Sequence, residues 1–192
     1  MNEDLKYRKA EPADAERIME IIRQAQAQMR ALGSLQWQDG YPARADIDRD
    51  IARGYGYVFE KSDAAENPAA AETPQKYDKG TVPGGVIAYG AVVFDGEPAY
   101  GAIDGAWLTG GDYVVLHRLA VADGEKGRGV AAEFMRRTEA LARGRGVGSF
   151  RVDTNFDNRY MLRMLERLRF AYCGKIIYES GERLAFEKPF EA

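Results

Sequence analysis

The chain has 192 residues, 45% hydrophobic and 30% charged, enough for one globular domain, 1–192, with a real core. Its net charge of -3 provides no basic field for nucleic acid, its lone cysteine excludes an internal disulfide, and its lone histidine argues against a zinc cluster, so no metal is expected. No apolar run approaches the ~18 residues of a membrane span, and the N-terminus lacks a signal-peptide core, which points to a cytoplasmic protein.

In chain order, Leu5 to Lys9 alternates as a short strand. Pro12, with Asp14 and Glu16 after it, opens a helix. Ile18, Ile21, Ile22, Ala25, Met29 and Leu32 keep helical spacing, and Gly33 stops it. The loop from Ser34 to Asp46 carries Trp37 and Tyr41 beside Gly40 and Pro42; a helix from Ala43 to Arg53 follows. Tyr57-Val58-Phe59 begins a second strand. From Lys61 to Pro83 large apolar residues almost vanish, which predicts a flexible insertion between two hairpin strands.

Gly85 to Asp95 reads as a long strand, with Gly90 as a candidate bulge. Glu97 to Gly111 is irregular and carries Tyr100, Trp107 and two acids. Tyr113 to Val121 is β-branched or apolar, which suits a strand buried on both faces. Gly124, Gly127 and Gly129 follow, and helical spacing resumes at Val130, Phe134 and Leu141. Phe150 to Thr154 is a further strand. Asp157 is placed to cap a helix carrying Met161, Met164, Leu165 and Leu168 on one face. Phe170 to Glu179 and Arg183 to Lys188 form a terminal hairpin around Ser180-Gly181. The fold class is therefore α/β: a mixed, mostly antiparallel sheet of about seven strands with helices on both faces.

The stretch from Tyr113 to Leu141 organises the rest. A glycine turn that feeds a helix leaves several backbone N–H groups free beside the positive end of the helix dipole, which makes a site for a phosphate. The competing account is a tight turn with no ligand. A P-loop is excluded because Val130-Ala131, not Lys-Ser or Lys-Thr, follows Gly129, and the glycine order is the reverse of a dinucleotide fingerprint.

The run Leu119-Ala120-Val121 followed by Lys126-Gly127-Arg128-Gly129-Val130-Ala131 resembles the acetyl-CoA pyrophosphate loop of the GCN5-related N-acetyltransferases (GNAT), with Lys126 where Arg or Gln is usual. Asn158-Arg159-Tyr160-Met161 and Leu165-Glu166-Arg167-Leu168-Arg169-Phe170 are similar to the opening and close of that family's later helix. Met161 stands for the usual alanine, Arg169 for the usual glycine, and Leu165 for the tyrosine that often protonates the departing thiolate. Gln36 to Pro42, Leu116-His117-Arg118 and Tyr172-Cys173-Gly174 look closer still to a bacterial subgroup of small acetyltransferases.

The resemblance implies the GNAT fold and transfer of an acetyl group from acetyl-CoA to a primary amine of a small molecule or peptide. Leu119, Ala120, Val121, the loop Lys126 to Ala131, and Asn158 would hold the cofactor. His117 is the candidate base, set against a buried histidine that only shapes the site. Tyr172 could replace the missing acid or simply pack on the sheet. Asp153 could orient the acceptor or hold a loop. Trp37, Gln38 and Tyr41 would form an acceptor wall or a packed lid. A buried structural thiol is expected at Cys173. The recurrent Arg159, Arg163, Arg167 and Arg169 read as a solvated helix face, not an RNA site. A non-catalytic acyl-CoA sensor is the alternative, and an antiparallel edge or the terminal hairpin could support a homodimer.

Overall fold

The computed structural model describes residues 5–62 and 85–190. The strands are β1 (Leu5–Lys9), β2 (Gly56–Lys61), β3 (Gly85–Val93), β4 (Asp104–Gly105), β5 (Tyr113–Val121), β6 (Ser149–Thr154), β7 (Ala171–Tyr178) and β8 (Gly181–Pro189). The helices are α1 (Ala15–Ala31), α2 (Arg44–Ala52), α3 (Val130–Gly144) and α4 (Arg159–Arg167). One eight-stranded sheet has the order β1-β2-β3-β5-β6-β8-β7-β4. Only β5 and β6 run parallel; the other pairs are antiparallel.

The elements follow the expected order with one strand more. Two residues of the segment expected to be irregular, Asp104 and Gly105, pair with Lys175 and Gly174 at the sheet edge. Lys61, the first residue of the expected insertion, belongs to β2, pairing with Leu5 and Gly85; that segment from residue 63 lies outside the described residues. The cap of α4 is Asn158, whose side chain accepts the Met161 amide at 3.1 Å. Asp157 instead accepts the Ser34 hydroxyl at 2.9 Å, tying the loop after α1 to the turn after β6.

Each face of the sheet has its own cover. On one side Phe134, Met135 and Ala142 of α3 and Met164 and Leu165 of α4 pack on Val114, Leu116, Phe150 and Val152. On the other, Ile18, Ile21 and Ile22 of α1 and Ile47 of α2 pack on Val58, Val86, Tyr89 and Ala120. Burying each such isoleucine contributes about 1.5–3 kcal/mol, which is what fixes α1 to the sheet. Further along that second side, Tyr100 and Trp107 cover Val93, Val115 and Ile176.

A bulge divides β5. His117 opposes Ala91 and Ala120 opposes Tyr89, so Arg118 and Leu119 share the single partner position of Gly90. The extra residue thus lies on β5, across from Gly90. Glycine is needed there for space: a Cβ would come 2.8 Å from both Leu116 and Phe134. The bulge also shifts the alternation of side chains. Leu119 and Val121 belong to the α3 side, whereas Val115 and Ala120 belong to the other. His117 therefore does not share a face with Leu119 and Val121, as unbroken alternation would have it.

Candidate active site

The site forms where the two parallel strands part. β5 and β6 pair at Tyr113–Ser149, Val114–Phe150 and Val115–Arg151, and not beyond. The closed end is tied by Glu187 of β8, which is fully buried. Its carboxylate accepts Arg151 Nε at 3.0 Å, Ser149 Oγ at 2.7 Å and Thr109 Oγ1 at 2.6 Å, along with the Leu108 and Thr109 amides. The Arg151 guanidinium is held between the rings of Tyr113 and Trp107, at 3.9 and 4.4 Å from their centroids. From Leu116 onward, the backbone groups that β5 turns toward β6 face no partner strand. At the open end Thr154 Oγ1 and Asn155 Oδ1 are buried with no hydrogen-bond partner among the described residues.

The glycine turn leads from this open end into α3. Gly129 caps the helix in the left-handed region, φ 82°, and Gly127 has φ 77°. Nothing lies within 4 Å of where a Cβ would stand at either, so the turn leaves open space above its backbone. The first amide of the helix to be used is that of Glu133, which donates to the Gly129 carbonyl at 3.0 Å. The amides of Val130, Ala131 and Ala132 remain available, together with the positive end of the dipole. These features fit the pyrophosphate of a coenzyme A thioester.

His117 lies two residues past the last β5 position paired with β6. Its Nε2 comes 3.1 Å from Glu97 Oε2 but out of line for a hydrogen bond, and it has no other partner among the described residues. Glu97 is itself fixed, capping the 3-10 turn Pro98–Ala102 by accepting the Ala99 amide at 3.2 Å. The neighbouring His117, the Ala99 amide and Arg118 hold its carboxyl below the usual range, against the opposing effect of burial. Close to this pair, Asp153 Oδ1 accepts the Tyr100 hydroxyl at 2.7 Å and the Tyr178 hydroxyl at 3.4 Å. Burial, reinforced by the Asp153 charge, raises the pKa of both phenols, so both remain protonated.

The bulge carries a second charged constellation. Arg118 has φ 57°, a conformation that costs a non-glycine residue about 1–2 kcal/mol. Its guanidinium donates from Nε and Nη2 to the two oxygens of Asp50, both at 2.7 Å, and from Nη1 to the Tyr41 hydroxyl at 2.8 Å. Asp50, on α2, is 3% exposed and also accepts the Tyr89 hydroxyl at 2.6 Å.

The structure brings together some of the expected site residues and separates others. Leu119, Ala120, Val121 and the loop Lys126 to Ala131 adjoin the open end. Asn158 lies near it but is occupied, capping α4 and donating to Gln36 Oε1 at 3.0 Å. Of the expected acceptor wall, Tyr41 reaches β5, through Arg118. Trp37 packs on the α1 cluster, and Gln38 is tied to Arg30, to the Gln26 carbonyl and within its own loop. Tyr172 is more than half exposed and stacks edge-on against Phe186, which belongs to the α3 side. It is not brought to His117. Leu165 is fully buried beneath the sheet, and Cys173 is buried with its thiol pKa raised chiefly by that burial. Arg159, Arg163 and Arg167 are exposed, a solvated face.

Sequence reasoning missed Glu97, Asp50, Arg118 and Tyr178. The available signal for Glu97 was an acid, a proline and two large aromatics in a segment with no periodicity. Asp50 carried no signal, since an aspartate between polar helix neighbours looks solvated.

Residues 29–170 match the family model described as Acetyltransferase (GNAT) family. A GNAT acetyltransferase from Streptococcus agalactiae 2603 superposes with a TM-score of 0.79 at 32% identity, covering 99% of this chain and 98% of its own. A GNAT acetyltransferase from Listeria monocytogenes 4b F2365 does so with a TM-score of 0.68 at 19% identity, covering 97% and 95%. The ribosomal-protein-S18-alanine N-acetyltransferase of Escherichia coli shares the fold at 11% identity and a TM-score of 0.58, covering 98% and 95%. Among curated proteins none matches the sequence. The chain belongs to the GNAT family and is an acyl-CoA-dependent acetyltransferase.

Proposed function

We propose that the enzyme moves the acetyl group of acetyl-CoA to a primary amine of a small molecule or peptide by direct attack. The observation that carries this reading is the parting of β5 and β6 after Val115, with an open glycine turn at its end and the His117–Glu97 pair beside it. The amides from Gly127 to Ala132 would hold the pyrophosphate. The unpaired edge of β5 would run along the pantetheine arm, and a backbone N–H of Leu119 or Ala120 would face the thioester carbonyl.

His117 takes the proton of the acceptor ammonium, directly or through one water, and the neighbouring Glu97 carboxylate stabilises the imidazolium that results. The amine lone pair forms the C–N bond to give a tetrahedral oxyanion, which collapses as the C–S bond breaks with its electron pair on sulfur, and the surplus proton on nitrogen passes through solvent to the thiolate. A thiol of pKa ~8.5 is a fair leaving group, so no acid is assigned to that step and Tyr172 is not used. Asp153, with Tyr100 and Tyr178, would steady the ammonium. The enzyme would act in the cytoplasm, and no metal takes part in the proposed step.

The test is thiol release from acetyl-CoA against a panel of small amines and peptides, with acetyl-CoA binding measured by calorimetry. Gly129→Ala, forced into φ 82°, should weaken binding by about tenfold. His117→Gln should lower turnover by about a hundredfold or more with binding unchanged. Near-full turnover of His117→Gln from pH 6 to 9 would remove His117 as the base. No binding by folded protein would sink the cofactor site. Thiol release with no primary amine, despite tight binding, would sink the acceptor class.

A further inference from the structure

We propose that Asp50 is a positioning residue for the acyl-transfer site: its carboxylate, acting through Arg118, holds the β5 bulge in the conformation that turns a backbone N–H toward the thioester. The inference rests on the acetyl-CoA site proposed above and extends it to a residue on a different element.

Arg118 is a non-glycine residue at φ 57° in the middle of a strand, between residues that pair regularly with β3 on either side. Such a conformation persists only where the surroundings over-determine it, and it is concentrated at functional sites. Here the surroundings are specific. A planar guanidinium presents two donors to the two oxygens of one carboxylate, both at 2.7 Å. That geometry fixes direction as well as distance.

The carboxylate cannot follow if Arg118 relaxes. Asp50 is 3% exposed, its helix is pinned by the fully buried Ile47, and Tyr89 of β3 donates to the same oxygen that accepts Arg118 Nε. Tyr89 pairs with Ala120 just past the bulge, so the network grips β5 from both its neighbouring strand and the covering helix. A return of Arg118 to ordinary extended backbone would move its side chain off Asp50 and leave a carboxylate buried without its cation. It would also restore unbroken alternation, turning Leu119 and Val121 out of the α3-side core. The bulge and the ion pair therefore stand or fall together.

The remaining guanidinium nitrogen adds a consequence for the acceptor side. Arg118 Nη1 donates to the Tyr41 hydroxyl at 2.8 Å, so the loop after α1 rests on the same group that sets the bulge. His117, the residue before it, keeps the face of Val115 by regular pairing with β3 and lies on the Glu97 side.

The test reads the bulge directly and requires no acceptor. Acetyl-CoA labelled with 13C at the carbonyl is bound to the full-length protein, and its carbonyl stretch is followed by infrared difference spectroscopy. A hydrogen bond from the bulge lowers that frequency on binding. Asp50→Asn should lose at least about half of the wild-type downshift, while the acetyl-CoA Kd stays within about threefold. Tyr89→Phe should give a smaller loss in the same direction. Asp50→Asn combined with Arg118→Gly should recover most of the downshift, because glycine adopts the left-handed conformation without an anchor. The double variant also carries the test if Asp50→Asn alone does not fold, since it leaves no buried arginine unpaired. An unchanged downshift in Asp50→Asn, or one not recovered in the double variant, overturns the positioning role. Failure of the wild-type protein to bind acetyl-CoA overturns the cofactor site instead.

Discussion

Glu187→Gln tests what holds the closed end of the parted strands. The wild-type carboxylate accepts five donors and is fully buried. Glutamine keeps the shape but turns one oxygen into an NH2 group. If the amide nitrogen replaces Oε2, it faces the Leu108 and Thr109 amides, which cannot turn away. If it replaces Oε1, it faces Arg151 Nε, another donor, and two hydroxyls that must rotate. In either orientation the buried Arg151 loses its counter-charge. Two charge-assisted hydrogen bonds at about 1.5–3 kcal/mol each give about 3–6 kcal/mol, which agrees with the ~3–5 kcal/mol cost of breaking a buried ion pair. Urea unfolding followed by tryptophan fluorescence reads this well, since Trp107 lies against Arg151. With a slope of about 2 kcal/mol/M, the midpoint should fall by about 1.5–2.5 M. A fall of less than about 0.5 M with the slope unchanged would refute the reasoning, because Glu187 would then not be the anchor of this end.

Two further outcomes follow from other parts of the structure. Arg169 closes α4 at φ 62°, with the Phe170 amide donating to the Leu165 carbonyl at 2.9 Å. Relief of a left-handed side chain by Arg169→Gly, less the entropy glycine loses, should stabilise the protein by about 0.5–1 kcal/mol, a rise of about 2 °C in Tm; an unchanged or lower Tm would count against strain there. Asp14 and Glu60 both accept Arg8, and that hydrogen bonding is the first cause holding their carboxyls below the ordinary 3.8 and 4.5. Since the folded values lie lower, the unfolded chain binds more protons in acid: this stability is full above about pH 5 and is lost as pH falls through the folded values. Arg8→Met should flatten part of the decline in thermal stability between about pH 5 and 3, and an identical slope in the variant would rule the triad out.

The sequence predicted most elements to within two residues because their causes are local. Pro12 and Gly33 bound α1, and the glycines after Val121 open α3. The gaps have a different origin. β4 is two residues long and exists only because β7 offers an edge, so no pattern within it could show it. The bulge at Arg118 replaces the glycine or asparagine that would have betrayed a left-handed residue with an arginine anchored from a distant helix. The cap of α4 was placed one residue early because Asp157 and Asn158 have equal capping chemistry, and only the hydroxyl of Ser34 decides between them. At the candidate site, the glycine turn is legible because its residues are contiguous in sequence. Glu97 and Asp50 are not, because His117 and Arg118 meet them from across the fold.

The cations around the glycine turn are already engaged. Asp123 holds Lys126 at 2.5 Å, and Glu125 takes both Lys61 at 3.1 Å and Arg128 at 3.5 Å. A diphosphate bound as proposed would meet three side-chain cations offset by two carboxylates, one cation in excess, together with the backbone amides of the turn. Amide dipoles attract no condensed counterion atmosphere that must be displaced. Adding salt thus weakens the carboxylates' hold on those cations as much as it weakens the cations' pull on the phosphates. Recognition built this way would depend less on ionic strength than recognition by three free cations, and it would favour ligands that fit the shape of the turn over other polyanions of equal charge.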